Sequence, residues 1–268
     1  MIRSHSRRYA PAAFLPFLGL IVGLAAPPRA AADIIQVDPA TVVTTTLIDF
    51  NGISGTENPG LNVNTILVQP GVRFGERFAG QTLGSVPESG GGPHDTLSGI
   101  PTGPLNLLAG ATNQNLDVFS SIIVDPILDG IGPNGYPNFS GIGEGAISFL
   151  FDADVQEFRV SLEGANGGTA SLQFFARNGS LLGTQNLGPL GTSGTVADFQ
   201  FGFRSTTTAI AGVSLTNQDP GGIGLDNLGF QQVAVPAPSS LVLCGIGAIA
   251  LLLARWRIST KQVAARVR

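Results

Sequence analysis

The chain has 268 residues, 43% hydrophobic and only 12% charged, with 37 glycines and 18 prolines; it can fill a core, but turn formers punctuate it too densely for long helices. Its net charge of −4 conceals a split: all 18 carboxylates and only five arginines lie within residues 33–231, a local balance of −13, and the other nine basic residues sit at the two ends. A surface of that sign repels phosphates and excludes nucleic acid as a partner, and a single cysteine, Cys244, excludes an internal disulfide.

Residues 1–32 have the three parts of a secretory signal peptide, to be removed by signal peptidase. Arg3, Arg7 and Arg8 open it, Ala12 to Ala26 are apolar, and Ala30-Ala31-Ala32 offer a small-residue cleavage site before Asp33. The apolar stretch is short for a retained anchor.

Residues 33–231 read as one domain. Its first half offers strands at Val42–Phe50, Thr65–Val68 and Val72–Phe78. Residues 79–144 are looser, and a loop so long predicts short strands or turns that the pattern does not place. From Gly145 onward apolar residues alternate with polar ones. Ile147, Phe149 and Phe151 form one set, and Phe158, Val160 and Leu162 a second. Leu172, Phe174 and Ala176 lead into Asn178-Gly179, a hairpin signal, and then Leu181–Leu187. Phe199, Phe201 and Phe203 follow, then Val213 and Leu215, then Ile223 to Phe230. In the last of these Leu225 and Leu228 are three apart, which predicts a β-bulge at Asp226-Asn227. Seven short strands divided by turn residues predict an all-β fold, an antiparallel β-sandwich.

Residues 232–240 form a Pro/Ser linker containing Val235, Pro236, Ala237, Pro238 and Ser239. Residues 241–258 read as a single transmembrane helix and 259–268 as a basic cytoplasmic tail. The uncharged run Leu241 to Ala254 spans only about 21 Å against about 30 Å of hydrocarbon. Arg255 and Arg257 stop it, and with Trp256 they extend its reach by snorkelling. A stiff proline segment before a marginal helix suits a temporary tether to the membrane.

The proline motif, short helix and arginine cluster of Val235 to Arg257 resemble the PEP-CTERM sorting signal. That resemblance implies export, brief retention in the inner membrane, processing near the prolines by exosortase, and release to the cell surface or an exopolysaccharide matrix. The family's usual central glutamate is Ala237 here, which keeps the extended backbone but removes a carboxylate. The strand pattern, with Ile48-Asp49-Phe50 near its start and Gly224-Leu225-Asp226-Asn227-Leu228 near its end, resembles the jelly-roll domains of the same proteins, distant relatives of carbohydrate-binding modules.

Catalytic sets are missing from the sequence. After signal removal His94 is the only histidine, read as a solvated loop residue, and no Gly-x-Ser-x-Gly elbow occurs. Asp152 and Asp154 read as turn residues before Val155. Asp226 and Asn227, joined by Asp49 if the end strands pair, offer oxygen ligands to a structural calcium ion; turn residues bonding their own backbone explain them more simply. No other cofactor is expected. Tyr136 is the one visible aromatic anchor for a sugar, the phenylalanines reading as core. The expected role is a non-catalytic envelope or matrix protein, with recognition of secreted polysaccharide as the alternative. A carboxylate-based hydrolase is a third reading, requiring two acids across a cleft.

Overall fold

The computed structural model describes residues 34–53, 59–87, 92–121, 124–164, 166–191 and 197–232. The stretches read as a signal peptide, a sorting motif (Val235–Ser239) and an apolar run, with Arg255 and Arg257, lie outside the described residues. Among the described residues no helix is long and apolar enough to cross a membrane.

Alternation becomes strand throughout. In chain order come β1 (Ile34–Val37), β2 (Thr46–Ile48), β3 (Leu61–Val63), β4 (Leu67–Gln69), β5 (Val72–Gly75) and β6 (Arg77–Phe78). The unplaced stretch supplies β7 (Thr82–Val86), β8 (His94–Ser98), β9 (Leu107–Leu108), β10 (Leu116–Ser121) and β11 (Val124–Gly130). Then follow β12 (Ile147–Gly164), β13 (Gly168–Phe175), β14 (Leu181–Leu190), β15 (Ala197–Ser205), β16 (Ile210–Gln218) and β17 (Ile223–Gln232).

The pairings, all antiparallel, make a sandwich joined through β12. Its first half, Ile147–Phe151, lies between β16 and β5, in a layer ordered β14-β13-β16-β12-β5-β4. Its second half lies between β15 and β17, in a layer ordered β1-β15-β12-β17-β11-β10-β3, with β2 also on β17. The sequence predicts two strands here; the structure has one, because β12 crosses from layer to layer without breaking. Its register against β16 slips between Leu150 and Val155, and the inward set changes from Phe149 and Phe151 to Phe158, Val160 and Leu162. Sandwich corners are commonly made this way. Asp152 and Asp154 therefore sit inside a strand at the corner rather than in a turn. Arg73 pairs with Asp152 at 3.2 Å, and Arg177 donates to Asp154 Oδ1 at 2.6 and 2.9 Å and to the Phe151 carbonyl at 2.7 Å.

Between the layers the core is aromatic. Phe158 touches Phe149, Phe151, Phe174 and Phe203 with ring centroids 5.4–6.0 Å apart. Each ring buried on this scale contributes about 1.5–3 kcal/mol. A smaller cluster of Phe78, Leu105, Leu107, Leu150, Phe175 and Ala211 lies on the opposite face of the first layer. The segment from β6 to β9 thus covers the outside of that layer. Among the described residues the outside of the second layer carries no comparable apolar cluster, and there polar side chains stand in rows.

Candidate functional site

Directly paired residues of an antiparallel ladder point to the same face, so the register builds the outer face of the second layer residue by residue. Leu116, Val118, Leu128, Leu162 and Leu225 point into the core, which turns their neighbours outward. One row runs Asn62, Asp117, Asp129, Gly224, Glu163, Asp198 across six strands. Along the strands the next row holds Phe119 paired with Ile127, and Asp226 paired with Ser161, itself opposite Gln200. Beyond it, Arg159 stands between Gly202 and Gly229, and Glu157 pairs with Arg204. The face is acidic at one end and carries its arginines at the other.

The predicted bulge is present. Three residues of β12, Arg159 to Ser161, face four of β17, Gly229 back to Asp226, and Asn227 takes φ +49. It turns Asp226 outward while returning Leu228 and Phe230 to the core. Ile48 pairs with Leu228, so Asp49 follows beside the bulge, and its charge helps to raise the pKa of Asp226. The structure thus brings Asp226, Asn227 and Asp49 together. Their bonds are local: Asn227 Nδ2 donates to Asp226 Oδ2 at 2.6 Å, and the Asn51 N–H to Asp49 Oδ1 at 3.2 Å. Among the described residues no three His, Cys, Asp or Glu side chains converge as metal ligands.

Burial and mutual repulsion govern the row. Burial lifts the Asp117 carboxyl to about 7. Asp129 is pushed well above the usual carboxylate range by burial first, then by the charges of Asp117, Glu163 and Glu144. Glu163 rises to about 7 through burial, then Asp198, Asp226 and Asp125. Asp226 reaches about 6, again chiefly by burial and then by neighbouring acids, against the opposing pull of the Asn227 N–H. Asp117 is wholly buried, and neither of its oxygens has a hydrogen-bond donor. Asp117, Asp129 and Glu163 had no special standing in the sequence; the available signal was an acid set between core residues, as in Leu116-Asp117-Val118.

Two features add binding capacity. A pocket of about 150 Å³ opens between Arg159, Val160, Ser161, Gln200 and Asn227, donors and acceptors of several kinds. At the other edge Phe139, 56% exposed, leans on Phe119 with ring centroids 6.2 Å apart. Phe139 lies in a 3-10 turn, Phe139–Gly141, capped by Asn138. Tyr136, the anticipated aromatic anchor, is half-buried with its hydroxyl donating to the Gly60 carbonyl at 3.2 Å. The more open ring is Phe139.

A separate cleft of about 240 Å³ lies beside the β7–β8 hairpin, lined in part by Glu76, Ser85, Asp95 and Gln114. Glu76 is ion-paired with Arg77. Asp95 accepts the Ala146 N–H at 3.2 Å, and burial nevertheless raises it to about 6. His94, expected in a solvated loop, is buried at 7% exposure on β8, where it pairs with Val86 in the β7–β8 hairpin.

No protein-family model matches the chain. No curated protein matches it either. Among solved structures, a carbohydrate-binding module of Cellvibrio mixtus lichenase 5A in complex with cellotriose is 10% identical, covering 71% of this chain and 99% of its own, at a TM-score of 0.24. The enzymatically active domain of bacteriophage CBA120 tailspike protein 4 is 16% identical over 59% of this chain and 20% of its own, at 0.29. An arabinose-bound α-L-arabinofuranosidase is 14% identical over 74% and 31%, at 0.28. The chain therefore spans about a fifth of the tailspike domain and about a third of the arabinofuranosidase. Superpositions this loose carry no argument about the chain's ligand.

Proposed function

We propose that this protein is a non-catalytic, exported component of the bacterial cell envelope or extracellular matrix. In this reading its jelly-roll-like sandwich holds secreted polysaccharide, and its PEP-CTERM-like tail delivers it. Delivery is supported by the sequence: a signal-like start, the motif Val235–Ser239 as the exosortase substrate, and an apolar run stopped by Arg255 and Arg257. Binding is supported by one observation above the others, the outer face of the second layer. There carboxylates, an arginine, amides and a hydroxyl stand in register, and the exposed ring of Phe139 lies at the other edge. Carboxylates and amides accept from sugar hydroxyls, Arg159 donates, and an open ring packs against an apolar sugar face. The negative charge selects neutral chains over anionic ones.

Affinity electrophoresis of the detergent-solubilised full chain, in gels cast with neutral polysaccharides, tests this. Retardation is expected, and Phe139→Ala and Gln200→Ala should each weaken it. Unchanged mobility in every polysaccharide contradicts the binding role.

The Glu76–Asp95 cleft favours a second reading, a carboxylate hydrolase. One acid there is paired with an arginine and the other is raised to about 6, environments of the kind that separate a base from an acid. Release of reducing ends from the same polysaccharides, abolished in Asp95→Asn, would establish hydrolysis; none is expected.

A further inference from the structure

We infer that Asn62, Asp117 and Asp129 form a binding site for a hard divalent cation of the calcium type. The register sets the three side by side, Asn62 opposite Asp117 and Asp117 opposite Asp129, all turned to the same face. Cβ atoms of such pairs lie about 4.5–5.5 Å apart, which lets one ion reach both carboxylates.

The decisive feature is the state of Asp117. Asp219 is equally buried, at 0% exposure, but its oxygens accept backbone N–H groups from Asn166, Gly168 and Gly221 at 2.7–3.2 Å. Asp117, also at 0%, has no donor on either oxygen. Asn62 Oδ1 is likewise buried without a donor, while its amide nitrogen donates to Asn113 Oδ1 at 2.7 Å. Three unpaired acceptors on adjacent strands represent a large desolvation cost unless a cation or proton meets them. The ion pairs Arg73–Asp152, Arg77–Glu76, Arg177–Asp154 and Arg204–Glu157 leave this row untouched.

Ligand chemistry fixes the class of ion. The acceptors are all oxygens, as Ca²⁺ prefers, and the only histidine in the described residues, His94, is on β8, outside the row. Two carboxylates match a double positive charge. With no third acid, His or Cys converging among the described residues, the remaining ligands are Asn62 Oδ1 and water. A set so lightly charged belongs to the weak class of extracellular modules, with Kd of about 0.1–1 mM.

Calcium titration of the full chain in detergent, followed by calorimetry and thermal unfolding, tests the site without reference to any polysaccharide. One calcium should bind in that range and raise Tm. Asp117→Asn and Asp129→Asn should each weaken binding about ten-fold or more as a carboxylate ligand is lost. Asp117→Asn should also raise Tm in chelator, since an uncompensated buried acid is gone. Asp198→Asn, an exposed acid of the same row, should bind calcium as the parent does. The inference is overturned by a parent chain whose Tm ignores calcium, or by Asp198→Asn weakening binding as much as the two buried variants. Should Asp117→Asn fail to fold, unaltered calcium affinity in Asp129→Asn would overturn it as well.

Discussion

At Gly60 the backbone adopts φ +97, and a Cβ added there would stand 1.9 Å from Asp117 Oδ2. Only glycine accepts that conformation and that contact together. Gly60→Ala should cost about 1–3 kcal/mol, read as a Tm lowered by about 2–4 °C per kcal/mol for a domain of this size; an unchanged Tm would show that the contact is not made. The acids of the face set the pH dependence. Asp117 and Glu163 titrate near 7 and Asp226 near 6 in the folded chain, against about 4 when unfolded. The folded state thus holds protons that the unfolded chain releases. This contribution to stability is complete below about pH 4 and is lost as pH rises through about 7. In chelator, Tm should fall between pH 5 and 8; a rise over that window would contradict the raised values. Individual roles were only partly legible in the sequence. Asp226 and Asn227 could be singled out because a phase slip in apolar spacing betrays a bulge. Asp117 and Asp129 could not, because what makes them unusual is the absence of donors around Asp117 and the burial of Asp129 beside other acids, properties of neighbours from several strands.

The bulge also shows how one residue governs an element. Asn227 sits at φ +49, where asparagine and glycine are tolerated and β-branched residues are not. Asn227→Gly should change stability by no more than about 0.5 kcal/mol, whereas Asn227→Val should cost about 1–3 kcal/mol. Equal effects in urea denaturation would contradict the left-handed assignment. Among the strands, Phe158→Ala should cost about 3–5 kcal/mol, because that ring touches partners from both layers. Alternation located the strands from β13 to β17 well, since each buries one face and the period of two survives in the sequence. It divided β12 in two, because a strand changing layers also changes which parity faces inward. It left β10 and β11 unplaced: in β10 the outward positions carry the buried Asp117 and the half-buried Phe119, so apolar and polar no longer mark inside and outside.

Across the whole molecule, the two layers are treated differently. The segment from β6 to β9 closes the outside of the first with a second apolar cluster, while the second presents charge, amides and an open ring. In the proposed role that asymmetry leaves one face for a partner, and it was not readable before the layers were assigned. The readings of the two termini rest on linear sequence patterns alone, and both stretches lie outside the described residues. If the proline hinge is what exosortase recognises, Pro236→Ala with Pro238→Ala should leave the chain in the inner membrane, seen as loss from the medium and gain in the membrane fraction. Normal release would contradict that role. Intact mass spectrometry of the protein recovered from the cell surface or medium tests the account most directly. It should show a chain beginning at or near Asp33 and ending within or just after Val235–Ser239. A chain of all 268 residues, found only in the cytoplasm, would contradict it.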